Sequence, residues 1–430
     1  TTWASDGGCT PLLLLLLRLA TMAATPSVKR ASSSVRYDRI RGALWGIYIG
    51  DAVAMPAHWY YDVRDLRETY GLIKGYIKPV DKKPGSILGK SNLYGAGRSR
   101  GMGAGKNKLI VGRLILKGKE KYWKEPDWFY HRGMSAGENT LEALVSRVIT
   151  RSVVENKGLN QPAVFKDYIA LMTTKDAHND TYAATAHRMF FANLDNGLPL
   201  EKCADNDGHN TDSTDGIIPG IAASLFAPDK TSGRKAAVQA VGMFRESTAL
   251  PAYTKLYSDI LHDLIGGATD SKEHSPAELL RSVIAQYGKS MRYDVKKDVE
   301  ADLYEERRQA ELGRKGYRKD PMSACYLNSN FPAMLYFAYK YADSPAEAML
   351  ANANAGGENV ARGSLLGAVI GAAYGMDGWG KLGEFDPIKG LHACKEIGEE
   401  VESFVAALEG AEEEKTCKQS AGDEGPNNKL

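Results

Sequence analysis

The chain has 430 residues, with 55 Lys and Arg against 53 Asp and Glu, so a net charge of +2 gives no field that would draw it to nucleic acid or a membrane surface. A hydrophobic share of 43% with 25% charged residues is ordinary globular usage and excludes disordered, collagen-like and multi-span membrane classes. Five scattered cysteines, none in a CxxC pair, signal neither a disulfide framework nor a thiolate zinc site and suit a reducing compartment.

Residues 1–36 read as a leader or a disordered N-terminus. The run Leu12 to Leu17 is long enough for a signal-peptide core and too short to span a membrane. The stretch after it carries Lys29, Arg30 and Arg36 among serines, with no acid, and resembles an organelle transit peptide. The expected location is intracellular and soluble: the cytoplasm, or an organelle if that stretch is a transit peptide. From 37 to 408 apolar residues recur at three- and four-residue spacing, as in Leu141, Leu144, Val145, Val148 and Ile149, or Ile397, Val401, Phe404, Val405 and Leu408. This predicts a single all-α domain, a compact multi-helix bundle.

Within it, residues 82–108 combine seven glycines with seven basic residues and no acid, which predicts a long mobile loop whose cations suit an anionic substrate. A Walker loop does not fit, because Arg100 stands at its first glycine position and Asn107 at its Ser/Thr. Residues 296–320 read as an exposed, charged helix and its loop, and 409–430, with Glu412 to Glu414 among Gly, Ser, Pro and Asn, as a disordered acidic tail.

Two segments repeat glycine every fourth residue: Gly42, Gly46 and Gly50, and Gly363, Gly367 and Gly371. Each set lines one helical face, where another backbone can approach closely. Glycine inside a helix costs about 0.5–1 kcal/mol relative to alanine, so three in register mark a packing demand, and the two helices are expected to touch.

A Gly-Glu-Asn tripeptide stands before two predicted helices, as Gly137-Glu138-Asn139 and Gly357-Glu358-Asn359. Each sets a carboxylate and an amide at a helix start. Two readings remain for the first copy, since Ser135 and Glu138 also fit a capping box. The pair together points to a shared polar site with Glu138 and Glu358 as catalytic carboxylates. His58 and Trp59 begin an aromatic cluster that suits stacking or core packing equally. His178, Asp180 and Asp212 lie in polar runs that suit turns as well as a site.

These motifs resemble the ADP-ribosylglycohydrolase superfamily, which includes the J-type lens crystallins. The likeness covers roughly Tyr37 to Gly375. It rests on Gly42-Ala43-Leu44 through Gly50-Asp51-Ala52 and Pro56, on Thr140 with the helix after it, and on Gly356-Gly357 through Gly367-Ala368 and Gly371-Ala372. The resemblance implies an all-α fold whose Asp-rich loops bind two magnesium ions and orient ADP-ribose for attack by water. The family's Thr-Asp-Asp-Thr element falls on Gly137 to Thr140, and its Gly-Gly-Asp-Thr-Asp-Thr element on Gly356 to Ala361. Four metal-binding aspartates become Glu138, Asn139, Glu358 and Val360, and the acid after the opening proline becomes His58.

The expectation is therefore a hydrolase of a glycosidic or related C–N bond in a small or nucleotide-linked substrate. Glu138 and Glu358 serve as acid and base, or hold one magnesium or manganese ion with Asn139 and Asn359; no metal at all is the equal alternative. His58, Trp59, Asn139, His178, Asp180, Asp212, Asn359 and Arg362 are the candidate substrate-binding residues. The competing expectation is an inactive, crystallin-like protein with a binding or structural role and a protein partner.

Overall fold

The computed structural model describes residues 33–86, 88–95, 108–208, 210–267, 274–301 and 325–423. Residues 1–32, residues 87 and 96–107 of the basic loop and residues 302–320 of the charged segment lie outside these residues, while 33–36, read as the end of the leader, open the first helix. Among them the fold is all-α, as expected, and extended chain is limited to isolated bridges such as Ser213 with Tyr326. No helix among the described residues is long and apolar enough to cross a membrane.

The helices run in chain order as α1 (Ser33–Ala54), α2 (Val63–Tyr70), α3 (Leu141–Glu155), α4 (Gln161–Thr173), α5 (Thr185–Asp195), α6 (Gly220–Phe226) and α7 (Lys230–Gly242). They continue as α8 (Leu250–Gly266), α9 (Pro276–Ser290), α10 (Val295–Glu300), α11 (Leu327–Lys340), α12 (Pro345–Ala355), α13 (Asn359–Tyr374) and α14 (Cys394–Asp423). Pro162 and Pro276 open α4 and α9, where a missing N–H costs nothing, and Ser275 with Glu278 forms a capping box on α9.

The two glycine-faced helices are α1 and α13, and they cross at the centre in antiparallel fashion. A Cβ added at Gly46 would lie inside contact distance of the Gly367 carbonyl, and Gly50 and Gly42 stand in the same way against Gly363 and Gly371. Every residue of α13 from Asn359 to Ala373 is buried. A helix apolar on all sides needs neighbours on all sides. Here α8, α11 and α12 surround it, and Tyr257 of α8 donates its hydroxyl to the Leu365 carbonyl at 2.7 Å.

The last helix starts at Cys394, carries the predicted stripe Ile397, Val401, Phe404, Val405 and Leu408 against the core, and continues to Asp423. The helix thus runs on into the expected tail, because its acids find partners. Glu412 accepts from Arg36 and Tyr37, both at 2.7 Å, and Glu414 pairs with Lys157 at 2.9 Å.

The crossing of α1 and α13 places the end of one helix beside the start of the other. The chain after α1, with His58 and Trp59, meets the glycine turn before α13, and α3 begins alongside.

Candidate active site

Asp51, near the end of α1, fixes where α3 starts. Its carboxylate accepts from the Thr140 N–H (2.8 Å), the Thr140 hydroxyl (2.6 Å) and the Asn139 amide (2.9 Å). Thr140 is the N-cap residue, so the acid ties two helices through one turn. Burial raises the Asp51 pKa to about 6, although Thr140 and Asn139 pull against it.

The glycine turn before α13 does the same for Trp59. The Trp59 N–H donates to the Gly357 carbonyl and the Gly357 N–H to the Tyr60 carbonyl, both at 2.8 Å. Gly356 sits at φ +67°, and any Cβ there would strike the Tyr60 carbonyl. Trp59 itself has φ +59°, a strained setting for a bulky residue. The strain turns its indole N–H onto Glu358 Oε2 at 2.5 Å.

From Glu358 a row of polar side chains leads inward. Glu358 Oε1 meets His58 Nε2 at 3.2 Å, His58 Nδ1 meets His131 Nε2 at 2.6 Å, and His131 Nδ1 meets Asp180 Oδ1 at 2.8 Å. Asp180 also accepts from the Leu141 N–H at 2.9 Å, at the first turn of α3. Three contacts between two carboxylates and two imidazoles need three hydrogens. Two neutral imidazoles carry two, so the row holds one more proton.

Burial works against charge on both acids but is outweighed. The His58 ring, by charge and hydrogen bond, and the Trp59 N–H bring Glu358 down to about 2. His131 and the backbone N–H groups of Leu141 and Tyr182 bring Asp180 to about 2.

The sign of the resulting pH dependence is fixed. Glu358 and Asp180 have folded pKa values below their ordinary 4.5 and 3.8, so their stabilisation is present above about pH 4.5 and is lost as pH falls toward 2. Asp51 acts oppositely: its raised pKa stabilises the fold below about pH 4, and that share is lost as pH rises to about 6. The melting temperature is expected to fall steadily from pH 4.5 to 2, and Asp180→Asn should flatten that slope. An unchanged slope in the variant would contradict the assignment.

Glu358, His58, Trp59, His131 and Asp180 line a cleft enclosing about 580 Å³, part of it open to solvent. Glu142 of α3 lines it too, with Thr185 at the start of α5, and Ser213, Asp215 and Arg245 from two loops. Arg245 pairs with Asp215 and donates to Ser213 Oγ at 2.5 Å and to the Asn210 carbonyl at 2.9 Å.

The sequence-predicted residues divide sharply. Glu358, His58, Trp59 and Asp180 come together; the others stand elsewhere. Glu138 is absent from the cleft lining, because Oε2 accepts from the Ser135 N–H at 2.7 Å and Oε1 from Asn179 at 2.8 Å, which closes a turn two residues before the N-cap. Asn139 serves Asp51 and the Tyr48 carbonyl. Asn359 is fully buried, its amide donating to the Ala353 carbonyl at 3.2 Å. Arg362 is equally buried and braces the Asn352 and Asn330 side chains and the Gly356 carbonyl. Asp212 accepts from Ser247, and the His178 carbonyl from Lys119, whose ammonium also binds the Asp180 carbonyl at 2.8 Å. Burial pushes the His178 ring down to about 4.

His131, Glu142 and Arg245 were not expected. His131 sits in an unpatterned loop, and Arg245 follows a helix end without a motif. Glu142 was within reach, since it lies one helical turn beyond Glu138.

The implied two-magnesium centre does not fit these residues. Both Glu358 oxygens already accept N–H groups, Val360 offers no donor, the Asn139 Nδ2 is committed to the Tyr48 carbonyl and Asp51, and the buried Asn359 Oδ1, which has no hydrogen-bond partner, is a single neutral oxygen. Hard divalent ions need several free oxygens on one point. Among the described residues no three His, Cys, Asp or Glu side chains are grouped to hold a metal ion. The placement of Glu138 and Asn359 likewise leaves no set for a single ion.

No curated protein matches the chain. A solved structure described as an ADP-ribosylglycohydrolase-related protein complex shares 15% identity with it, covering 87% of this chain and 99% of that one at a TM-score of 0.46. A family model described as ADP-ribosylglycohydrolase matches residues 32–416, from the start of α1 to within α14. With nearly its whole described length matched, the chain belongs to the ADP-ribosylglycohydrolase family, hydrolases of ADP-ribose-type linkages.

Proposed function

We propose that the chain hydrolyses an ADP-ribose-type glycosidic linkage in this cleft without a divalent ion, using the Glu358 carboxylate to stabilise positive charge at the anomeric carbon. The observation that carries this reading is a 4% exposed carboxylate held by His58 and Trp59 at the wall of a cleft. Glycosidic cleavage passes through an oxocarbenium-like state, for which a fixed negative charge is the natural partner. The His58 and Trp59 N–H groups and the Cys325 thiol hold Glu358 in place, and its fixed charge acts through space on a sugar in the cleft. Trp59, packed edge-on with Tyr130 and Tyr182, supplies an aromatic wall for a ribose or base.

A second reading, a binding protein without turnover, draws on the loss of the family's metal acids at Asn139 and Val360. Mono-ADP-ribosylated peptides separate the two. The hydrolase releases free ADP-ribose, detectable by mass spectrometry; the binding protein is stabilised by ADP-ribose but releases none. Magnesium or manganese at millimolar concentration is expected to shift the melting temperature by less than about 1 °C, since no site rewards binding to the folded state. A rise of several degrees would contradict the metal-free reading.

A further inference from the structure

The cleft holds a second carboxylate that is anchored as deliberately as Glu358. Glu142 stands on the first turn of α3, and its Oε1 meets His187 Nε2 of α5 at 3.1 Å. His187 Nδ1 in turn meets the Tyr168 hydroxyl of α4 at 2.7 Å. His187 and Tyr168 are both buried, so three helices converge to hold one side chain. The other oxygen of Glu142, Oε2, makes no hydrogen bond among the described residues, and the side chain keeps 18% of its surface exposed at the cleft.

The hydrogens in this row count differently from those on the Glu358 side. Burial keeps the Tyr168 phenol protonated, and its single hydrogen can go to Nδ1 of the imidazole tautomer whose Nε2–H points at Glu142, an arrangement that makes both contacts. No additional proton is needed, and the carboxylate stays free to accept one. Burial works to raise the Glu142 pKa, but the His187 interaction and Arg245 bring it below its ordinary value.

We infer that Glu142 is the base that takes a proton from the attacking water, and that His187, backed by Tyr168, positions it; this rests on the hydrolase reading. Water oxygen forms the bond to the anomeric carbon as the bond to the leaving group breaks, and the electron pair departs with that group. Glu142 Oε2 takes one water proton and later releases it to solvent, while the leaving atom takes its proton from solvent. Glu358 stays ionised throughout.

The test follows turnover of mono-ADP-ribosylated peptides by full-length protein. Glu142→Gln is expected to lower kcat about 100-fold or more with KM changed less than about threefold, as removal of a general base does. His187→Ala should lower kcat about tenfold, and His187→Gln, whose amide can still donate, should recover most of it. In wild type, kcat falls on the acid side as Glu142 is protonated. His187, Arg245, Glu358 and Asp215 are the charged or titratable groups that act on it. Without His187, burial is less opposed, so the acid limb moves to higher pH in His187→Ala, which a purely structural role would not produce. If the alanine variant does not fold, the same limb is read in His187→Gln, where a smaller shift in the same direction is expected.

Wild-type turnover that survives Glu142→Gln, while Glu358→Gln is inactive, would overturn this inference and leave the hydrolase reading standing. An unmoved acid limb in the His187 variants would remove His187 from its positioning role. A wild type that releases no ADP-ribose would overturn the hydrolase reading itself.

Discussion

Glu358→Gln is expected to lower kcat by about 100- to 1,000-fold, the usual cost of removing one preorganised electrostatic group from an active site. The variant should still fold. The glutamine oxygen can accept from the Trp59 indole, which lies at 2.5 Å in the wild type, and its amide can donate to the free nitrogen of a neutral His58 ring, now 3.2 Å away. Shape and hydrogen bonding persist while the charge is lost, so a fall in kcat with a melting temperature near wild type would isolate the role of charge. The relevant assay is release of ADP-ribose from mono-ADP-ribosylated peptides. Undiminished turnover would remove Glu358 from the chemistry.

The second large effect concerns the central helix pair. Gly46→Val and Gly367→Val should each destabilise the fold by about 4 kcal/mol or more, beyond the common range for overpacking, because each new side chain meets backbone that cannot rotate away. A Cβ at either position falls on the carbonyl of the other, and the indole of Trp379 also closes on Gly46. Relief requires α1 and α13 to separate, which would open the core along its length and shift the turn holding Trp59 and Glu358. Thermal or urea denaturation measures the effect. A variant melting within about 2 °C of wild type would show that the helices tolerate separation.

How far the sequence revealed this structure depended on which physical rule governed each part. Glycines at every fourth residue of α1 and α13 encode a close crossing locally, so their contact was legible. The stripe Ile397 to Leu408 announced the last helix but not its continuation to Asp423, which depends on Arg36, Tyr37 and Lys157 meeting Glu412 and Glu414.

The site was legible in part. The Gly-Glu-Asn repeat led to Glu358, where the glycine turn forces the acid beside Trp59. The same tripeptide misled at Glu138, because there the helix begins at Leu141 and the glutamate closes the preceding turn instead. One helical turn further, Glu142 reaches the cleft. His131 and His187 carry no pattern of their own. Their roles arise only when loops and helices distant in sequence bring His58, Asp180, Tyr168 and Glu142 to them. Arg362, polar and near the motif, proved to brace buried asparagines and not the cleft.

With His58, Asn139 and Val360 at positions where the family resemblance implies metal-binding or site acids, the central proposal is that charge at the anomeric centre is handled by protein carboxylates alone. The most direct measurement is the release rate of ADP-ribose from mono-ADP-ribosylated peptides by metal-stripped protein, with and without a chelator and with magnesium restored. One rate is expected under all three conditions. A rate abolished by the chelator and recovered with magnesium would contradict it.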